Sequence, residues 1–345
     1  MLEYQCDSSD YLHRACAISG VKKYISAAFQ RGANLIRFLV TRLVGLIFVL
    51  LGVSFITFLM GYLAPGDPIQ TLLGSHYTQA TYLALKHSYG LDLPWYQQYW
   101  NFVNNVLHGS FGLSFYYQNR PAWSVLSQGL PYSIELGLEV LIITIILGVP
   151  SGIIAALRSN TRADTALTFI AIFLYSMPDI AIIVAFQTFM VFLFQHGLPY
   201  LPVAGWDSWQ SRIGPVLITA TTGYGYFARL TRTSMLEALN QDYVRTARAK
   251  GLREAIVVYR HTLRNACLPL ITVIGPSLGF LVTGVFITEQ LFNIPGVSQI
   301  ALNAISQRDY PVLQASVVLT STTVVIFNAF TDVAYAFADP RIRIE

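Results

Sequence analysis

The sequence predicts an all-helical integral membrane protein with six transmembrane helices, and three observations support this fold class. Of the 345 residues, 54% are hydrophobic and only 12% are charged, which is about half the charged fraction of an average soluble domain. The apolar residues are gathered in uncharged runs long enough to cross a bilayer core of about 30 Å. The basic residues are also divided unequally between alternate loops, which is typical of a multi-span protein.

The predicted spans can be placed one by one along the chain. Leu43 to Leu63 carries no charge and follows Arg37 and Arg42, and the absence of a convincing cleavage site indicates a retained anchor rather than a signal peptide. With their flanks, the six predicted spans are residues 36–63, 130–157, 164–194, 212–232, 266–289 and 311–337.

The third and fourth spans have unusual compositions. Pro178 and Asp179 interrupt the third span, which predicts a kink or, alternatively, a re-entrant segment. The fourth span is rich in Gly and Thr, which is typical of a helix buried among other helices.

The loops indicate the orientation. Of the 22 Lys and Arg residues, only Lys86, Arg120, Arg212 and Arg308 lie in the loops after spans one, three and five. The other 18 lie on the opposite side of the membrane, which predicts that both termini are cytoplasmic. This orientation gives a long outer loop, 64–129, and a long basic inner loop, 233–265.

The three cysteines do not indicate a disulfide or a metal site. Cys6, Cys16 and Cys267 all lie in segments predicted to be inside the cell or in the membrane, where disulfides are not expected. No His/Cys cluster has the spacing of zinc ligands.

A pump needs an energy source, and the chain has no motif for an ATP site. None of its four lysines lies in the pattern G-x-x-x-x-G-K-[ST] that cradles phosphates. The chain is therefore predicted to be a transport subunit rather than an enzyme, with no cofactor of its own. Coupling to an ion gradient is an alternative, but it requires ionisable residues in the membrane.

Few polar residues are candidates for a translocation path. Glu135 and Glu139 share one helix face near the outer end of span two, where they form either part of the path or a hydrated outer mouth. Asp179 either lines the path or caps the helix that restarts after Pro178. The polar positions of span four add two further candidates, Thr222 and Tyr224.

The inner loop has the features of a short docking helix. Ser234 and Glu237 have capping-box spacing, Asp242 can cap the next helix, and Gly251 can end it in a left-handed conformation. The predicted helix has about nine residues. Tyr243, Ala247 and Lys250 recur on one face, which can enter a groove on another protein, and Arg245 and Arg248 can reach acidic groups or lipid phosphates. A solvated basic loop near anionic lipid is the alternative.

The segment S-M-L-E-A-L-N-Q-D-Y-V-R-T-A-R-A-K-G-L, followed by R-H-T-L-R-N-A-C-L-P, resembles the inner permease loop of binding-protein-dependent ABC importers. In that family this segment is the coupling helix, which docks on the ATP-binding subunit. The resemblance implies the same role for Asp242, Tyr243, Arg245, Thr246, Ala247, Arg248, Ala249, Lys250, Gly251 and Leu252. Arg245 and Thr246 depart from the usual E-A-A pattern, so the Glu contact of other branches is not carried over.

The resemblance extends over most of residues 36–345 and is greatest to the B-type permeases of oligopeptide and dipeptide importers. It rests on P-G-D-P at 65–68, G-L-D-L-P at 90–94, F-N-I-P-G at 292–296, R-D-Y-P at 308–311 and D-P-R-I-R at 339–343. It implies the type I ABC importer permease fold in the inner membrane of a prokaryote, with this chain forming half of the pore.

The resemblance also implies the partners. These are a second homologous permease subunit, two ATP-binding cassette subunits that hold ATP and Mg²⁺, an extracytoplasmic substrate-binding protein and membrane lipid, without nucleic acid. Di- or oligopeptides are the expected substrates, and nickel chelates, glutathione or sugars are alternatives. An ion-coupled secondary transporter and a passive channel or scaffold remain as alternatives from other classes.

Residues 1–35 precede the region of resemblance. Ile18, Val21, Ile25, Ala28 and Phe29 are spaced as one apolar helix face among basic residues, which predicts an amphipathic helix on the inner leaflet. The alternative is that translation starts further along the chain.

Overall fold

The structure is a computed structural model that describes residues 41–42, 44–74, 77–117, 120–283 and 285–338. This part of the chain is mostly helical, which confirms the helical part of the predicted fold class. The amphipathic helix expected within residues 1–35 lies outside the described residues.

In chain order the helices are α1 (Val44–Leu63), α2 (Pro68–Leu73), α3 (Gln79–Ser88), α4 (Trp95–Leu107), α5 (Ala122–Leu126), α6 (Leu130–Leu157), α7 (Arg162–Ser176), α8 (Asp179–Gln195), α9 (Trp209–Leu239), α10 (Asp242–Ala249), α11 (Glu254–Ile256), α12 (Leu263–Ala266), α13 (Leu268–Thr283), α14 (Phe286–Leu291), α15 (Val297–Ser306) and α16 (Tyr310–Ala338). A π-helical turn, Val257–Thr262, joins α11 to α12.

Three segments are long and apolar enough to cross a membrane. They are α1, the stretch Ala122–Leu157 that contains α5 and α6, and Tyr310–Thr331 within α16. Helices α7 and α8 meet the same criterion only as a pair, and they are bent by 92° at Pro178. Among the described residues the structure thus supports three or four spans by length and composition, and the number six stays a prediction.

Helix α9 differs from the sequence-based expectation. The capping-box spacing of Ser234 and Glu237 predicts a helix start at Ser234, but α9 runs without a break from Trp209 to Leu239. Ser234 is buried inside this helix, and the observed capping box is formed by Ser208 and Ser211 at its beginning. The expectation at Ser234 was wrong because apolar packing continues through the last turns of α9.

The predicted fifth span, 266–289, is divided between two helices. Helix α13 covers its first part, and α14 begins at Phe286 after a break in extended conformation at Val285. The chain then turns at Gly296 into α15. This corner brings the carboxylate of Glu289 into the interior of the protein.

Helices α6 and α9 form the most extensive helix pair, and small residues let them approach closely. A Cβ added at Gly152 would lie 2.5 Å from the carbonyl oxygen of Ala228. On another face of α9, a Cβ at Gly225 would collide with the carbonyl oxygen of Ala171 in α7. Close backbone contact of this kind is the usual packing mode of helices within membranes.

Two buried apolar clusters connect the remaining helices to this pair. One packs α5 against α15 and α16, through Leu126, Val297 and Val312 among others. The other packs α6, α8 and α9 around α14, with Leu136 and Phe292 at its centre. The short helices between Phe286 and Ser306 are therefore held on both sides by longer ones.

Candidate functional site

The predicted docking helix of the inner loop is present as α10, Asp242–Ala249. Its N-cap residue is Gln241, so Asp242 is the first helical residue and does not cap the helix as expected. Gly251 has a φ of 73°, the left-handed conformation that glycine adopts without a steric penalty. The amide of Gly251 donates to the carbonyl of Arg248 at 2.9 Å, which closes the end of the helix.

One face of α10 is used by the loop itself. Val244, Ala247 and Val257 form a small buried cluster between α10 and the π-helical turn. Ala247 is only 5% exposed, so its side chain has no surface to offer another protein. The expectation that Ala247 lies on a docking face together with Tyr243 and Lys250 is therefore wrong for Ala247.

The opposite face of α10 is exposed and largely basic. The side chains of Asp242 and Arg245 are 97% and 73% exposed, and 3.7 Å separates Arg245 Nη1 from Asp242 Oδ1. Among the predicted coupling residues, Tyr243, Thr246, Arg248, Ala249, Lys250, Gly251 and Leu252 are also exposed. Helix α10 thus packs one face on its own loop and keeps its charged face in solvent.

An ion pair connects α10 to α11. Arg248 Nη2 donates to Glu254 Oε1 at 2.6 Å, and both side chains are about half exposed. The hydrogen bond from Arg248 lowers the pKa of Glu254 below its ordinary value. Exposed pairs contribute little to stability, so this one mainly fixes the orientation of α11 relative to α10.

Two of the four predicted path residues lie together. Thr222 Oγ1 in α9 donates to Asp179 Oδ1 at 2.6 Å, at the bend between α7 and α8. Pro178 is the N-cap of α8 and no side-chain capping bond is formed there, so the carboxylate of Asp179 joins two helices instead of capping one. Tyr224 lies two positions after Thr222, and residues at this spacing do not share a helix face.

Glu135 is held in a separate cluster that was only partly anticipated. Its carboxylate accepts from Trp206 Nε1 at 2.9 Å and from Arg212 Nη1, which also donates to Glu139 at 3.3 Å. The guanidinium of Arg212 lies 5.0 Å from the centre of the Trp206 ring. From the sequence Arg212 counts only as a loop charge, and nothing in its spacing indicates that it pairs with α6.

Three further buried carboxylates were not singled out from the sequence. Asp164 at the start of α7 accepts from Nε and Nη2 of Arg232 at 2.6 and 2.8 Å. Glu289 and Asp309 each accept hydrogen bonds from three donors in other segments. All three lie next to the ends of predicted spans, and this position was the available signal in the sequence. A charge buried there requires a hydrogen-bonding partner.

Two family models match most of the chain. The model of the family described as "Binding-protein-dependent transport system inner membrane component" matches residues 148–344, and that of its N-terminal counterpart, "Binding-prot-dependent transport system membrane comp, N-term", matches residues 35–137. The region 148–344 contains α10 and three of the four predicted path residues, Asp179, Thr222 and Tyr224.

Individual relatives cover nearly the whole chain. The glutathione transport system permease proteins GsiC of Shigella flexneri serotype 5b (strain 8401) and of Escherichia coli (strain K12) are each 36% identical over 309 residues, covering 90% of this chain and 99% of the relative. The family match covers more than half of the chain, and the relatives extend the similarity to 90% of it. The chain therefore belongs to the family of inner membrane components of binding-protein-dependent transport systems, as an ABC importer permease of the dipeptide/oligopeptide type.

Proposed function

We propose that this chain is one of two permease subunits in an ATP-driven importer for di- or oligopeptides. It forms half of a pore of six spans per subunit, with both termini in the cytoplasm. A second homologous permease, two ATP-binding cassette subunits carrying ATP and Mg²⁺, and an extracytoplasmic binding protein complete the complex. The chain itself supplies no ATP site.

The observation that carries this proposal is α10. The helix is fixed to its own loop by Val244, Ala247 and Val257 and presents its charged face to solvent. An element that is rigid internally and exposed externally transmits a displacement without deforming. The ATP-binding subunits thus move α10, and the π-helical turn and α12 pass the movement to α9 and α13, which they contact.

The path in this proposal runs past Asp179 and Thr222. Their hydrogen bond lies where α8 restarts after the 92° bend, and irregular backbone at membrane depth is tolerated where it lines a cavity or is buried in protein. Glu135 and Tyr224 are further contributors. Because Glu135 is neutralised by Arg212, it acts by its polarity rather than as a free charge.

The family assignment favours an importer over an ion-coupled transporter, and the relatives favour one particular alternative substrate. Both relatives named above are described as glutathione permeases. Glutathione is itself a tripeptide, so the two substrates belong to one chemical class. Uptake of labelled dipeptide and of labelled glutathione by the reconstituted complex separates them.

Arg245→Glu tests the coupling role directly. The substitution reverses a charge on a side chain that is 73% exposed, so we expect normal insertion, weaker binding of the ATP-binding subunits and at least partial loss of ATP-dependent uptake. Arg162→Glu, at an exposed arginine that begins α7, is the matched control and keeps uptake. Wild-type uptake and co-purification in Arg245→Glu would contradict the proposed docking face.

A further inference from the structure

A buried ion pair joins α7 to α9 close to the inner loop. Arg232 Nε and Nη2 donate to the two carboxylate oxygens of Asp164 at 2.6 and 2.8 Å. Asp164 is only 4% exposed, and its carboxylate also accepts from the amide of Asn160 and from Thr168 Oγ1, at 3.0 and 3.2 Å. With four donors in place, this carboxylate fixes the turn before α7, the start of α7 and the side of α9 at one point.

The ion pair lies near the end of α9 that leads into α10. Arg232 precedes the last residue of α9 by seven positions, which is about 10 Å along a helix axis, and α10 begins three positions after that end. Met235 of α9 belongs to a buried apolar cluster that also contains Val258 of the π-helical turn and Ala266 of α12. Because the π-helical turn also contacts α10, a displacement of α10 reaches α9 through apolar packing.

Helix α7 has no comparable apolar anchor. The structure describes all of its residues, and only Asp164 and Ala171 are buried. The backbone of α7 comes close to α9 where a Cβ added at Gly225 would collide with the carbonyl oxygen of Ala171. Contact at one small residue buries little apolar area, so the ion pair supplies the directional contact that fixes α7 on α9.

The far end of α7 leads to the 92° bend at Pro178. Near this end the guanidinium of Arg229 in α9 lies 4.6 Å from the centre of the Tyr175 ring. Just beyond the bend, Thr222 donates to Asp179 at 2.6 Å. Contacts of α9 with α7 and α8 thus follow each other from the inner loop to the bend, and the ion pair is the first of them on the side of α10.

The net stability of the fold does not explain this ion pair. An apolar pair of similar size is often at least as stable, because two charges lose their hydration when they are buried. What the pair supplies is one defined geometry, since the planar guanidinium binds the carboxylate through two parallel hydrogen bonds. A contact of this kind suits two helices that have to move together.

We propose that Asp164 and Arg232 are positioning residues for transport, which make α7 follow α9 when the ATP-binding subunits displace α10. The displacement then reaches the bend between α7 and α8 and is not lost in sliding of α7 along α9. This inference rests on the proposed function, because α10 has to receive the displacement. Neither residue has to touch the substrate, since both act through the position of α7.

The number of substrate molecules imported per ATP hydrolysed tests this role. The complete complex is reconstituted in liposomes, and a labelled dipeptide or labelled glutathione is the probe. Arg232→Lys keeps the charge but loses the two-point contact, and Asp164→Asn keeps the shape but loses the charge. We expect ATP hydrolysis to continue in each variant while import per ATP falls by about fivefold or more, because coupling between distant sites is typically worth about 5- to 150-fold.

The two substitutions together should lower the ratio no further than either alone, since they remove the same contact. Arg162→Lys is the matched control, because it makes the same replacement at an exposed arginine two positions from Asp164, and it should keep the wild-type ratio. Arg232→Lys retains a cation beside the buried carboxylate, so it provides the test even if Asp164→Asn does not assemble.

A purely structural ion pair predicts a different result. Import and ATP hydrolysis would then fall together with the thermal midpoint of the complex, and import per ATP would stay at the wild-type value. An unchanged ratio in Arg232→Lys would overturn the inference while leaving the proposed function intact. The proposed function fails separately, if uptake by the wild-type complex does not require ATP.

Discussion

The two ends of this protein treat their charged residues in opposite ways. On the side of α10, Arg245 and Asp242 extend into solvent and only a small apolar cluster fixes the loop. On the side of α15, the carboxylates of Glu289 and Asp309 are almost completely buried and accept long-range hydrogen bonds from Ser133 and Ser114. The first arrangement leaves charge available for a partner, and the second uses charge to hold the chain to itself.

The difference follows from what each side has to connect. Helices α3 and α4 of the long loop 64–129 contain no buried residue, and the carboxylate of Asp309 at the start of α16 holds residues 114–116 of this loop by hydrogen bonds. In the inner loop, by contrast, Val244, Ala247 and Val257 form a buried apolar cluster that holds α10 without a buried carboxylate. Removing a buried carboxylate should therefore damage the structure, whereas altering α10 should damage the association with partners.

The largest effect is expected for Glu289→Ala. Glu289 accepts from Ser133 Oγ at 2.7 Å and from the amides of Ser298 and Gln299 at 2.9 and 3.3 Å. Each buried donor that loses its partner costs about 1–3 kcal/mol, and the favourable interaction of the carboxylate with the first turn of α15 is lost as well. We expect a large decrease in the thermal midpoint of the detergent-solubilised protein, followed by fluorescence-detected size-exclusion chromatography.

The control for this prediction is Glu237→Ala, at an exposed glutamate of α9, which should leave the midpoint unchanged. Glu289→Gln retains a carbonyl acceptor and should fall between the two. Equal midpoints for Glu289→Ala and Glu237→Ala would show that the hydrogen bonds of the buried Glu289 carboxylate do not stabilise the protein.

A smaller and more local effect is expected for Asp309→Ala. The carboxylate of Asp309 accepts from Ser114 Oγ and from the amides of Phe115 and Tyr116, the latter two at 3.0 and 3.3 Å. These bonds fasten the loop before α5 to the start of α16. We expect faster limited proteolysis within 64–129 but little change in the helices that cross the membrane.

Asp309→Asn keeps only one of the two acceptor oxygens, so its cleavage rate should fall between those of wild type and Asp309→Ala. Cleavage of Asp309→Ala at the wild-type rate would show that the apolar packing of Leu126 and Val297 holds the loop without the carboxylate.

The smallest effects are the pH responses of two exposed pairs, and they have opposite signs. Arg248 lowers the pKa of Glu254 from its ordinary 4.5, so this pair is complete above that value and is lost as the pH falls through the lowered pKa. The hydrogen bond to Asp92, 2.7 Å long, raises the pKa of His87 above 6.5. That pair is complete below pH 6.5 and is lost as the pH rises through the raised pKa.

Hydrogen exchange as a function of pH checks both signs after correction for the intrinsic exchange rate. The segment around Glu254 should exchange faster as the pH falls through the lowered pKa of Glu254, and the segment around His87 should exchange faster as the pH rises through the raised pKa of His87. Glu254→Gln and His87→Gln should each abolish only their own response. A response of the same sign in both segments would contradict the assignment of these pairs.

The sequence by itself determined the class of the protein, the existence of the inner helix and the conformation that ends it. Uncharged runs of 20 residues or more have few stable locations outside a bilayer, so composition was sufficient for the membrane assignment. Gly251 followed from the preference of helix ends for a residue at positive φ. The resemblance of the inner loop then identified the family before any contact was known.

Only the tertiary structure decided which residues meet. Spacing on a helix defines faces but not the neighbours of each face, so Ala247 was assigned to a partner although it packs on Val257. The same reason hid Trp206, Ser133 and Ser114 as partners of Glu135, Glu289 and Asp309, from which they lie 71, 156 and 195 positions away. Burial of a charge is favourable only with its partner in place, and contacts at such separations in sequence are fixed by the packing of the whole chain.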